Sequence, residues 1–120
     1  DLTSLPSNIK DVWANDNRFS GNLDFTCLPS AIESLLLNKN LFVGEISLLQ
    51  LPGSLSALRI QDNPIQQDVL VVPKGTDSLQ DFTVGPSMFG MIIDEDGEQY
   101  SMQIDAASTR VCVQKYQKDM

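Results

Sequence analysis

Catalysis needs a nucleophile, a base and a site that shields them, and this chain is poor in the second. Ser4, Ser7, Ser20 and Ser30 and the thiols of Cys27 and Cys112 are the available nucleophiles. There is no His anywhere in the sequence, so a Ser-His-Asp triad, a Cys-His pair and any His-containing zinc site are excluded. Neither cysteine has a basic cluster beside it to activate the thiol. The densest acidic group is Asp94, Glu95, Asp96 and Glu98, in which Asp94 and Asp96 are the pair that acid–base chemistry would use. Asp96-Gly97 lies between two apolar stretches, however, and reads as an exposed hairpin tip without a cleft. As calcium ligands the four also fail on spacing. A calcium loop of the EF-hand type takes its first three ligands from alternate positions and follows the third directly with glycine, whereas here Asp94, Glu95 and Asp96 are consecutive, Gly97 comes fourth and Glu98 fifth. These residues predict no enzyme, no metal and no cofactor.

Size and charge narrow the remaining classes. At 120 residues the chain has room for one domain or a piece of one. Eight Lys and Arg against sixteen Asp and Glu give a net charge of -8, which disfavours phosphate-rich partners, so neither nucleic acid nor an anionic membrane is expected. With 42% apolar and 20% charged residues and no long apolar run, a globular chain without membrane insertion is predicted. Asp1 stands where a Met or a leader would, which reads as a mature product or an excised fragment. Two cysteines are too few for a disulfide-built scaffold. Cys27 and Cys112 are expected to lie too far apart to bond, and the balance favours a cytoplasmic over a secreted setting.

The elements that position any functional side chain emerge from a repeat. Leu5-Pro6, Leu28-Pro29 and Leu51-Pro52 recur at intervals of 23 residues. In that register residues 1–23, 24–46 and 47–69 superpose without a gap, and 70–93 follows with one inserted residue. Apolar residues recur as Ile9, Val12, Ala14; Ile32, Leu35, Leu37; Leu55, Leu58, Ile60; and Leu79, Phe82, Val84. Asn17, Asn40 and Asn63 each follow three residues after the last of their set. Alternation at period two buries the last two apolar residues of each set and turns the one between them outward, as a short strand does. Successive strands then form one parallel sheet. A second alternation, Leu23-Asp24-Phe25, Ile46-Ser47-Leu48 and Val69-Leu70-Val71, predicts an extended segment on the opposite side, with Gly21 and Gly44 at the bend before it. Gln67 and Met91 replace those glycines in the later units, where less regular bends are expected. Pro6, Pro29 and Pro52 belong in loops, since proline cannot donate to a ladder. No single unit holds enough apolar surface to fold alone, so stability must come from stacking.

The pattern L-x-x-L-x-L-x-x-N-x-L resembles the leucine-rich repeat family over about residues 1–93. NRFSGNL and NLFVGEI are similar to the unit endings of plant-type members, and the Leu-Pro start resembles arrays from single-celled eukaryotes. The resemblance implies an α/β-type solenoid, here mostly strand and loop. Parallel strands would line a concave face, and Asn17, Asn40 and Asn63 would form a buried ladder. Leu-Pro repeats also occur in bacterial effectors with a ubiquitin-ligase domain and reactive cysteine, but Cys112 sits in no such domain.

Residues 94–120 read as a C-terminal cap built around a β-hairpin, covering the end of the repeat core. At the other end the strand within residues 10–16 is expected to be an open edge, continued by further repeats or covered by a partner. The outward column of the sheet is Trp13, Leu36, Arg59 and Thr83. It is flanked by Asp11, Ser34, Ala57 and Asp81 on one side and by Asn15, Asn38, Gln61 and Gly85 on the other. Trp and Arg edged by short polar groups match the composition of binding hot spots. The predicted binding residues are Trp13, Asn15, Leu36, Asn38, Arg59, Gln61 and Thr83, and the expected ligand is a protein or peptide. Two further roles are open, a spacer within a longer repeat protein and the ligand-sensing part of a repeat receptor.

Overall fold

Short stretches of period-two alternation, separated by turn residues every few positions, leave no room for helices and produce short strands. The computed structural model describes residues 4–74, 78–105 and 110–114, with the strands after residue 100 described by their backbone alone. In chain order the strands are β1 (Asp11–Trp13), β2 (Ser20–Asn22), β3 (Ser34–Leu36), β4 (Leu41–Val43) and β5 (Ala57–Arg59). They continue as β6 (Gln67–Val72), β7 (Asp81–Val84), β8 (Phe89–Asp94), β9 (Ser101–Asp105) and β10 (Arg110–Gln114). There is no α-helix among the described residues. A front sheet runs β1-β3-β5-β7-β10-β9, and two short back sheets join β2 to β4 and β6 to β8. The chain therefore winds as a parallel β-solenoid of about four turns, one turn per repeat unit.

The front register follows the predicted columns. Asp11, Ser34, Ala57 and Asp81 are partners across the strands, as are Val12, Leu35, Leu58 and Phe82, and Trp13, Leu36, Arg59 and Thr83. Ile32, Leu35, Leu37, Leu55, Leu58 and Ile60 are fully buried, each stabilising the fold by about 1.5–3 kcal/mol relative to exposure. Each Leu-Pro sequence makes a tight turn. The carbonyls of Pro6, Pro29 and Pro52 accept from the N–H groups of Ile9, Ile32 and Leu55 at 3.2–3.3 Å, so proline serves as acceptor where it cannot donate.

The back of the solenoid is staggered. Asp11 pairs with Ser34, 23 residues on, whereas Ser20 pairs with Leu41, 21 on. Ala57 pairs with Asp81, 24 on, whereas Gln67 pairs with Phe89, 22 on. Both back pairings are thus two residues short of the front ones. A two-residue slip leaves each side chain on its own face, where a one-residue slip would invert the strand. Gly21 and Gly44, at φ of 94° and 88°, make the predicted bends but lie at or beside these strands.

Between the second and third turns the back sheet is interrupted. Pro64 occupies the repeat position of Leu41, whose N–H donates to the Phe19 carbonyl at 2.8 Å, and proline has no N–H to offer. The Gln67 amide bridges the gap instead. Its Oε1 accepts from the Ile46 N–H at 2.8 Å and its Nε2 donates to the Ile46 carbonyl at 3.2 Å.

Two expectations need correction. Leu23, Phe25, Ile46 and Leu48 are buried as predicted, but in the third turn Leu70 and Val72 are buried while Val69 faces out. The run Val69-Leu70-Val71-Val72 is apolar throughout, so nothing in it fixes the phase. The DEDGE turn does form, with the Asp94 carboxylate accepting from the N–H groups of Asp96 and Glu98 at 2.9 Å. Its return arm, however, meets β8 at only one bridge, Ile93 with Gln99. It then leaves to join the front sheet, where β10 lies between β7 and β9 and is antiparallel to both. The side chains of β9 and β10, the Cys112 thiol among them, lie outside what the structure describes. Residues 106–109 and 115–120 of the expected cap lie outside the described residues.

Gly90 provides a sharp test of the back packing. A Cβ there would sit 2.7 Å from the Asp68 carbonyl oxygen, whereas one at Gly53 would meet nothing within 4 Å. Gly90→Ala is expected to lose about 1–3 kcal/mol in urea unfolding, with Gly53→Ala within about 0.5 kcal/mol of the parent.

Candidate binding face

The front strands are held in register by the turn that ends them. Asp16, Lys39 and Asp62 each adopt a left-handed backbone, with φ of 58–59°, and each directly precedes a ladder asparagine. Asn40 Nδ2 donates to the carbonyls of Leu37 and Asn38 in its own turn and to Ala14 in the preceding turn, at 2.9–3.2 Å. Its Oδ1 accepts from the Phe19 N–H at 3.1 Å. Asn63 repeats this, donating to Ile60, Gln61 and Leu37 and accepting from the Phe42 N–H. The Asn17 side chain, by contrast, bonds among the described residues only within its own turn, to the Ala14 and Asn15 carbonyls, and Asn17 is exposed. The fourth turn cannot copy the motif. Pro86 stands at the left-handed position, where its ring forbids positive φ, and Ser87 replaces the asparagine.

Sequence reasoning missed a second ladder at the strand entrances. Ser54 Oγ donates to the carbonyls of Ser30 and Ile32, and Ser78 Oγ to those of Gly53 and Leu55, at 2.6–3.2 Å. The signal was present, a serine at the same register position in the third and fourth units. Ala31 holds that position in the second, so this ladder begins one turn later.

On this frame the central column comes together, but its members are not equally accessible. Trp13 is 70% exposed. Leu36 beside it is half-buried, as are Asn15 and Asn38. Arg59 turns to its neighbour on β7, donating from Nε and Nη2 to Asp81 Oδ2 at 3.0 and 2.6 Å. Thr83 Oγ1 donates to the other carboxylate oxygen at 2.9 Å. Both partners of the ion pair keep roughly a third of their side-chain surface in solvent, so it contributes at most about 1 kcal/mol. Thr83 is 2% exposed and Gln61 is 5% exposed, which removes both from direct contact with a ligand. Thr83 pairs with Arg59 of β5 on one side and with Cys112 of β10 on the other, and its hydroxyl is turned to the Asp81 carboxylate. The accessible face is therefore Trp13, Leu36, Asn15, Asn38 and the outer part of the Arg59–Asp81 pair.

Outside this face, two groups among the described residues bear on reactivity. Cys27 is a free, exposed thiol. Asp24 is held below the ordinary aspartate range by hydrogen bonds from the Thr26 hydroxyl and N–H, but this turn lies in the back loop. No group of three or more His, Cys, Asp or Glu able to hold a metal occurs among the described residues.

Substitutions at two positions test the turn. Asn40→Ala strips two inter-turn bonds from a buried position and is expected to cost about 2–4 kcal/mol. Lys39→Gly relieves the left-handed backbone and should match or exceed the parent by up to about 1 kcal/mol, while Lys39→Val should lose about 1–2 kcal/mol. Urea midpoints at constant slope decide both. No family model, curated protein or solved structure matches this chain.

Proposed function

We propose that the chain is a leucine-rich-repeat segment acting as a non-enzymatic interaction module that takes a protein or peptide on its front sheet, with the β9–β10 hairpin closing the end of the repeat core. The observation that carries this reading is Trp13, an indole 70% exposed on a strand, in register with Leu36 on the next strand and Arg59 on the one after. A large aromatic left in water on a rigid sheet gains most from a partner that covers it. The column supplies apolar contact at Trp13 and Leu36 and a polar end at Arg59–Asp81. It suits an extended or loop segment presenting one aromatic or aliphatic side chain beside a polar group.

A second reading has its own support. The burial of Thr83 and Gln61 and the engagement of Arg59 with Asp81 commit half of the column to internal use, as a spacer segment would. Panning the immobilised chain against a random peptide library separates the two. Binders selected on the parent should lose about tenfold or more in affinity for a Trp13→Ala, Leu36→Ser variant whose melting temperature is within about 2 °C of the parent. Equal affinity for that variant would remove the site, and failure to select any binder would favour the spacer.

A further inference from the structure

Each turn of the solenoid presents two different faces to its neighbours, and the first turn's outer face has the form of an inter-turn interface. From equivalent positions of the repeat, Phe19, Phe42 and Ile65 are 51%, 8% and 1% exposed. Val12 and Ala14 are only half-buried, whereas their counterparts Leu35, Leu37, Leu58 and Ile60 are fully buried. Leu5, Val12, Ala14, Phe19, Leu23 and Leu37 line a hollow of about 350 Å³ at this end. The residues that a preceding turn covers in the second and third repeats are the ones left open in the first.

Polar groups repeat the pattern atom by atom. The Lys10 carbonyl accepts from the N–H groups of Glu33 and Ser34, and the Glu33 carbonyl accepts from Ser56 and Ala57. By the same step, the N–H groups of Lys10 and Asp11 point to a carbonyl that no described residue supplies. Asn40 Oδ1 takes the Phe19 N–H, and Asn63 Oδ1 takes the Phe42 N–H, whereas Asn17 Oδ1 has no such donor among the described residues. The Trp13 carbonyl faces the same edge, as its counterparts Leu36 and Arg59 accept from Ala14 and Leu37 of the preceding turn. Donors, acceptors and apolar surface are thus set out in the order that a parallel turn of the same repeat would meet.

From this we infer that the outer face of the first turn docks one further 23-residue turn of the same repeat, joined in line before Asp1 and laid parallel to β1. It is an extension of the inter-turn interface that Asn40 and Asn63 already make, with Asn17 as its next rung. An extended strand alone would satisfy β1 but would leave Phe19 and Asn17 Oδ1 uncovered.

The inference is tested by placing a copy of residues 24–46 directly before Asp1, against a shuffled copy of the same composition. The intact copy should raise the melting temperature by about 4 °C or more over the shuffled one. Asn17→Ala should shift the midpoint by less than about 1 °C in the parent and by about 4 °C or more in the extended chain. In the parent chain itself, hydrogen exchange at the Asp11 amide should be at least about tenfold faster than at Ser34. Equal midpoints for intact and shuffled copies, or equal Asn17→Ala shifts in both chains, would overturn the assignment. So would protection of Asp11 equal to that of Ser34 in the parent. A parent that sediments as a dimer with Asp11 protected would give the face to a second copy instead.

Discussion

No turn of this chain can bury its own apolar row. Leu35 and Leu58 are sealed because a turn lies on either side of each, while Val12, with a neighbour on one side only, stays half-open. Burial is therefore a property of the stack. The ordering cost of each backbone residue, about 1–2 kcal/mol, is offset only when neighbours share apolar surface. The repeat length and the short strands both follow from the need to bring equivalent residues side by side.

Apolar contact alone does not fix the sliding of one turn over the next. The asparagine and serine ladders do. Asn40 and Asn63 bond carbonyls in their own turn and in the turn before it, and Ser54 and Ser78 bond carbonyls of the turn before, so a shifted register would strand several buried polar groups at about 1–3 kcal/mol apiece. The left-handed residue before each asparagine is the local cost of aiming that amide inward. Front and back registers differ by two residues, which lets the turns lean on one another while keeping every face intact.

The repeat was legible because its signals are local and recur. The Leu-Pro spacing, the L-x-x-L-x-L rows and the asparagines placed β1, β3, β5 and β7 and their pairing with one another. What escaped depends on contacts made far along the chain or on segments without pattern. The pairing of Thr83 with Cys112 of β10, some thirty residues later, had no sign in the repeat itself. The phase of β6 was unreadable because four apolar residues in a row alternate with nothing. The DEDGE turn was correct as a turn, but its chemistry says nothing of where the next strand pairs. The predicted columns set Asp81 in the one beside that of Arg59, but column order alone did not say that the guanidinium would turn to it. The Pro64 break was readable in principle, since it puts a residue without an N–H where Leu41 donates.

The interruption beside Pro64 has a mechanical consequence. The front sheet passes through all four turns as a continuous hydrogen-bonded plate, whereas the back is two separate plates, with side-chain amides in place of a strand ladder between them: Asn63 on the Phe42 N–H and Gln67 on Ile46. Such a body is stiff against stretching along its front and compliant to bending about a crease between the second and third turns. Flexure of the rod concentrates there, with Asn63 and Gln67 as the tethers that set how far the crease opens.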